Sequence, residues 1–228
     1  MLNKSVFLIL LLVVIALSLP QNASAAATSV TGHKIILDAG HGGTDSGSTA
    51  CPGYPEKDAT LDIANILSGL LSSDAAVVYM TRSDYNQTLS NADRYNFANS
   101  RGGEVLVSVH LNGSSNPLTN GTQGLFGKID KDKAFTQVMH TALWEGLKYM
   151  PSFTNFGITN FASGLLLKTT MPATIQETVF ISNTNECNLL KNSGGARQQE
   201  IAQQLYTGLL NWFSQPQPTP TPKHGKNK

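Results

Sequence analysis

Residues Lys34–Gly43 read KIILDAGHGG. The branched apolar residues Ile35, Ile36 and Leu37 lead into Asp38 and then into a glycine-rich turn carrying one histidine, His41. Apolar, mostly β-branched residues that stop at glycines have the pattern of a buried strand entering a tight turn. Gly40, Gly42 and Gly43 tolerate positive φ and leave bare backbone beside the imidazole, so a ligand can approach closely. In open α/β sheets ligands bind beyond the carboxyl ends of strands, which is where His41 would stand. An ordinary turn with an incidental histidine fits this stretch equally well, so the rest of the chain has to decide.

Downstream, Leu61, Ala64, Leu67 and Leu71 recur at helical spacing and predict a helix over 59–71. Glu56 falls at or just before its N-terminus, where the helix dipole favours a carboxylate. Ala75–Met80 reads as a second strand closing at Thr81-Arg82, and Asn91–Ser100 as a helix ended by Gly102-Gly103. Glu104–Val109 reads as a third strand, and it too stops at a histidine, His110. Gly121–Lys128 is strand-like and Ala134–Leu147 helical. Leu165–Leu167 and Ala173–Gln176 read as short strands flanking Met171-Pro172, the second running into Glu177. A last helix spans Gly195–Phe213. Phe153, Phe156 and Phe161 lie in a loop-rich stretch and are expected to plug the core rather than form a glycan platform. Strands alternating with helices predict an α/β fold: a three-layer α/β/α domain with a mostly parallel mixed sheet flanked by helices.

Both ends differ from this domain. Lys4, the apolar run Val6–Leu19 and the small residues Ala23-Ser24-Ala25 have the order of a secretory signal. The expected division is a signal peptide over 1–25, a catalytic domain over 26–214 and a Pro/Thr-rich basic tail over 215–228. The alternative for the first segment is an uncleaved membrane anchor, but the run is shorter than the roughly 20 residues that span a bilayer. The whole chain carries 16 basic and 15 acidic side chains. Setting aside Lys4 and the tail's Lys223, Lys226 and Lys228 leaves 12 basic against 15 acidic. A mildly acidic domain lacks the electrostatic footprint of a nucleic-acid binder. Two cysteines, Cys51 and Cys187, permit one disulfide in a secreted chain, with two free thiols as the alternative. A zinc knuckle is excluded because neither has a near neighbour.

Three strands thus end at a group that can do chemistry, His41, His110 and Glu177, and Glu56 follows the first. Two imidazoles and a carboxylate are a recognised zinc set, and a second carboxylate beside the bound water completes a hydrolytic site. There is no HExxH, and residue chemistry alone leaves satisfied core or turn histidines as the competing explanation at each position.

KIILDAGHGGTDSGS, PEKDATLDIA, TRSD with Leu89 and Arg94, LVSVHLNGS and MPATIQETVFISNTNE occur in order along residues 33–213. In this the chain resembles the zinc-dependent N-acetylmuramoyl-L-alanine amidases, cell-wall hydrolases that cut between muramic acid and the stem peptide. The resemblance implies Zn²⁺ held by His41, Glu56 and His110, and Glu177 as the catalytic base. It also implies peptidoglycan as partner, a secreted or wall-facing location, a monomer, and membrane contact only through an uncleaved signal. The rival functions are a zinc peptidase cutting the stem peptide and a non-catalytic wall-binding module. Asp38 and Asn112 are candidates to orient the ligating histidines, with turn stabilisation as the competing role. The turn has alanine where the family more often has proline, and the cysteines lie outside its zinc set. Cys51 and Cys187 are expected to be bonded and to brace the rim of the site. Only Asp130–Lys133 separates the GTQGLFGK strand from the next helix, so an open site is expected. His33, His140 and His224 are expected on the surface without partners.

Overall fold

The computed structural model describes residues 29–215, so the expected signal segment and nearly all of the tail, with His224, lie outside the described residues. The opening apolar run forms β1 (Lys34–Ala39), followed by α1 (Glu56–Ser73), β2 (Val77–Met80), α2 (Asn91–Arg101) and β3 (Val105–Asn112). After these come β4 (Asn120–Phe126), a single wide turn at Ile129–Lys133, α3 (Ala134–Leu147) and β5 (Phe153–Asn160). The chain then forms α4 (Gly164–Lys168), β6 (Ala173–Phe180), α5 (Thr184–Asn192) and α6 (Ala196–Ser214).

The six strands make one sheet in the order β2-β1-β3-β6-β4-β5. β1 pairs in parallel with both β2 and β3, and β3 pairs in parallel with β6. β4 runs antiparallel to β6 and parallel to β5, so the sheet is mixed but mostly parallel, as expected. Side chains alternate across β1. Ile35, Leu37 and Ala39 join the core beneath α1, α3 and α6, whereas Ile36 packs on the other face with Ala98 of α2 and Leu165 and Leu166 of α4. That period of two produces the three layers. From β1 the chain passes to β2 on one side and returns to β3 on the other. This reversal opens a crevice at the carboxyl ends of β1 and β3, and His41 and His110 stand at those ends.

The sequence reading needs four corrections. Leu165–Leu167 is helical, within α4: leucines favour helix over strand, and the Ser163 side chain accepts from the Leu165 N–H as an N-cap. Residues 153–160, read as loop, form the edge strand β5. With a sheet neighbour on one side only, it needs no apolar run, and Gly157 at φ 67° breaks its pattern further. A helix unpredicted from sequence, α5, is started by Asn183, whose side chain accepts from the N–H groups of Asn185 and Glu186. Finally, β3 and β6 continue past their expected ends. His110 and Glu177 are therefore register partners inside the sheet rather than residues beyond it.

Other expectations fail locally. His140 is buried, with Nε2 2.7 Å from the Asn155 side-chain oxygen. His33 stacks on Phe213 and its Nδ1 lies 2.9 Å from Glu104 Oε2. Of the three phenylalanines only Phe153 is buried; Phe156 and Phe161 are 40% and 49% exposed.

Candidate metal centre

His41 sits at φ 60°, a left-handed conformation that costs a non-glycine residue energy and persists only where its surroundings impose it. Two buried arginines do so. Arg82 donates through Nε to the Ala39 carbonyl at 2.9 Å and through Nη2 to the Gly40 carbonyl at 2.8 Å. Arg94 donates through Nη1 to the Ala39 carbonyl at 2.8 Å and through Nη2 to the His41 carbonyl at 2.7 Å. Three successive carbonyls of the turn are thus gripped from below. Asp38 anchors the grip: its Oδ1 accepts from Arg94 Nη1 at 2.7 Å and from Thr81 at 2.6 Å, and its Oδ2 from Ser108 at 2.6 Å. Burial alone would raise the Asp38 carboxyl, but the Arg94 charge and these hydrogen bonds hold it below its ordinary value. Asp38 therefore does not orient a histidine ring.

Asp45 does. Its Oδ2 lies 2.9 Å from His41 Nδ1, which leaves Nε2 facing the centre. The loop is closed on itself by paired backbone bonds between Gly42 and Asp45. Asn112, the other candidate, accepts from the Gly113 N–H and has a turn role instead.

Glu56 is the first residue of α1. Its Oε1 lies 3.1 Å from both His41 Nε2 and His110 Nδ1, and accepts from the Leu111 N–H at 3.0 Å. Its Oε2 accepts from the Ser48 N–H at 2.9 Å. Burial opposes its charge, but hydrogen bonds from His110 and His41 outweigh that and hold Glu56 far below the usual carboxylate range. Reciprocally, burial would lower His41, whereas Glu56 and Asp45 push it up to about 9. One potential ligand atom from each of His41, Glu56 and His110 lies within 4.8 Å of the others, so the three can share a metal ion. Two glycines shape this packing. A Cβ on Gly40 would fall 2.4 Å from the His110 ring, and one on Gly47 2.6 Å from His41 and 2.7 Å from Glu56. The bare backbone beside His41 accordingly makes room for the protein's own ligands rather than for a substrate.

Glu177 stands beside His110 in register and faces the same cleft. Burial pushes its carboxyl up, with the Glu56 charge adding to this and His110 and His41 opposing it. The backbones of the pair are tied down: Thr178 donates to the His110 carbonyl and Thr122 to the Glu177 carbonyl, both at 3.1 Å. The four residues singled out from sequence therefore meet. Sequence reasoning missed Asp45, although its spacing four residues after His41 within a glycine-rich turn was visible. Arg82 and Arg94 stand within the family-like motifs, but their grip on the turn carries no local sequence signal.

Cys51 and Cys187 are disulfide-bonded, as expected, tying the segment that follows Ser48 to α5. The Ile129–Lys133 turn lies at the start of β6, where Asp132 accepts from the Ala173 N–H, at the opposite end of that strand from Glu177. It leaves the cleft uncovered.

The sequence profile of a family described as N-acetylmuramoyl-L-alanine amidase matches residues 35–211. The chain is 30% identical over 200 residues to the "Probable cell wall amidase LytH" of Staphylococcus epidermidis, a match covering 87% of this chain and 64% of that protein's length. It is 32% identical over 185 residues to the N-acetylmuramoyl-L-alanine amidase CwlM of Bacillus licheniformis, covering 79% and 69%. Its fold superposes on the catalytic domain of CwlV, an N-acetylmuramoyl-L-alanine amidase from Bacillus (Paenibacillus) polymyxa var. colistinus. There the TM-score is 0.71 at 29% identity, with 79% of this chain and 97% of that one covered. With a profile match over most of its length and a fold that superposes on a solved amidase catalytic domain, the chain belongs to the N-acetylmuramoyl-L-alanine amidase family.

Proposed function

We propose that this protein hydrolyses the amide bond between N-acetylmuramic acid and L-alanine in peptidoglycan, using Zn²⁺ held by His41, Glu56 and His110. The observation that carries this reading is the convergence of two imidazoles and a carboxylate within 4.8 Å, with Glu177 on the neighbouring strand. The donor set suits zinc, which takes nitrogen and carboxylate ligands and in catalytic sites keeps a position for water. Asp45, accepting from His41 Nδ1–H, is the outer partner a ligating histidine needs. When bound, zinc would supply Lewis acidity, drawing the pKa of a water towards about 7 and polarising an amide carbonyl.

The remaining work falls to the chain's own residues. A Glu177 carboxylate oxygen takes the proton from the attacking water, and burial makes it the stronger base. The same oxygen then hands the proton to the alanine nitrogen as the C–N bond breaks. Water's oxygen ends on the muramoyl carbonyl carbon and the amine leaves neutral, so atoms and charge balance. Asp45 and the arginine grip keep His41 in place throughout. The relatives named as cell-wall amidases support a site of action outside the cytoplasm, with residues 1–25 as the export signal.

Digestion of purified sacculi tests the reading. The expected products are free L-alanine amino termini and intact muramic acid, with about one zinc per chain. New termini only within the stem would show a peptidase instead, and no cleavage would leave a binding module. Glu177→Gln is expected to keep fold and metal while losing at least about a hundredfold in turnover; near-normal turnover would refute its role as base.

A further inference from the structure

Two clefts meet at the triad. One, of about 390 Å³, includes Ser90, Asn91 and Ser163 in its lining; the other, of about 540 Å³, includes Gln123, Thr159 and Glu177. His41, His110 and Phe161 line both. Phe161 is 49% exposed although apolar, so it presents its ring to both spaces rather than to the core. Glu177 belongs to the second cleft and not to the first.

That asymmetry orients a substrate. When the amide is hydrolysed, the C–N bond breaks and the nitrogen must receive a proton from a group on its own side of the carbonyl. If Glu177 is that group, as the proposed amidase reading holds, the nitrogen and everything attached to it lie on the Glu177 side. We infer that the stem peptide runs from Glu177 into the Gln123–Thr159 cleft, and that the muramoyl sugar occupies the Ser90–Asn91–Ser163 cleft, with Phe161 between them.

The chemistry of each cleft agrees. Gln123 is the register partner of Glu177 on β4, directly beside the leaving nitrogen. Its Nε2 donates to Thr159 Oγ1 at 3.1 Å, which holds the amide in plane and leaves its oxygen to accept from a peptide N–H. Leu125 lies in the same cleft and offers apolar surface to a small side chain. Across the triad, Asn91 is exposed at the cleft wall and presents an amide suited to sugar hydroxyls and an N-acetyl group, while the neighbouring Ser90 hydroxyl is taken up by Asp93 as the cap of α2 and fixes where Asn91 stands.

The test compares kcat and KM of the full chain on three soluble substrates: a disaccharide pentapeptide, a disaccharide dipeptide and a monosaccharide pentapeptide. Gln123→Ala is expected to reduce the preference for pentapeptide over dipeptide by roughly two- to tenfold, the worth of one hydrogen bond, chiefly through KM. Thr159→Val, which frees the Gln123 amide, should act in the same direction. Asn91→Ala, in an exposed helical position where alanine is well tolerated, should instead reduce the preference for disaccharide over monosaccharide. A merely structural role would lower all three substrates together. The orientation is overturned if the two effects exchange places, or if every variant scales all substrates equally. Failure of the wild-type protein to release L-alanine termini from any substrate would overturn the amidase reading itself, and the orientation with it.

Discussion

Arg94→Met removes the charge that underlies the His41 turn. Arg94 is 5% exposed and Asp38 fully buried, so the substitution strands a carboxylate in the interior with only two hydroxyl donors, Thr81 and Ser108. Breaking one partner of a buried pair costs about 3–5 kcal/mol when the remaining charge is uncompensated; Arg82, whose charge also interacts with Asp38, places the cost towards the lower end of that range. The turn also loses the donors to the Ala39 and His41 carbonyls, which hold His41 at its positive φ. Urea unfolding of the metal-free protein should therefore show a loss of about 3–5 kcal/mol, and zinc competition should show weakened binding. Asp38→Asn added to Arg94→Met removes the stranded charge, so the double variant should recover part of the loss, a non-additivity diagnostic of the pair. The pH dependence has a definite sign. Asp38 titrates below its ordinary value of 3.8 in the folded protein, so its contribution is complete above that value and fades as pH falls through the folded pKa. Arg94→Met should weaken this acid-side loss. A cost below about 1 kcal/mol, or strict additivity with Asp38→Asn, would refute the reasoning.

Three further outcomes follow from the same structure. Gly40→Ala places a methyl 2.4 Å from the His110 ring, and overpacking of this kind costs about 1–3 kcal/mol; zinc affinity should fall with it, and unchanged affinity would show the ring is free to move. Reducing the Cys51–Cys187 bond, which joins positions 136 apart, should lower stability by roughly 3–5 kcal/mol in chain-entropy terms, read as a shift in the urea midpoint with and without reductant. His140 is buried and titrates below 6.5 in the folded state, burial outweighing its bond to Asn155. Its share of stability is complete above 6.5 and lost as pH falls below it, with a slope of at most about 1.4 kcal/mol per pH unit. His140→Gln should flatten the stability profile between pH 6.5 and 5, and an identical slope would exclude the effect.

Much of this site is legible in the sequence. The apolar run ending in AGHGG, the helix following Glu56 and the strands leading up to His110 and Glu177 each follow from local periodicity and punctuation, because a strand or helix start is encoded within a few neighbouring residues. The possibility of a disulfide followed from counting cysteines. The edge strand β5 did not show, since its polar sequence needs β4 beside it to become a strand, and the leucines of α4 resembled a strand until a cap and two packing faces made them a helix.

What the tertiary structure decided is which distant groups touch. Asp38 was a candidate to orient a ligating histidine, but both of its carboxylate oxygens are taken up by Arg94, Thr81 and Ser108. Asp45 took the partner's place because the turn folds back four residues later. Glu56, His41 and His110 became one centre because the chain reverses direction around β1 and opens a crevice at that point. The separation of two clefts by Phe161 depends on residues from several elements at once. Local chemistry thus named the groups, whereas their distances, charges and directions depended on long-range packing that no short stretch of sequence encodes.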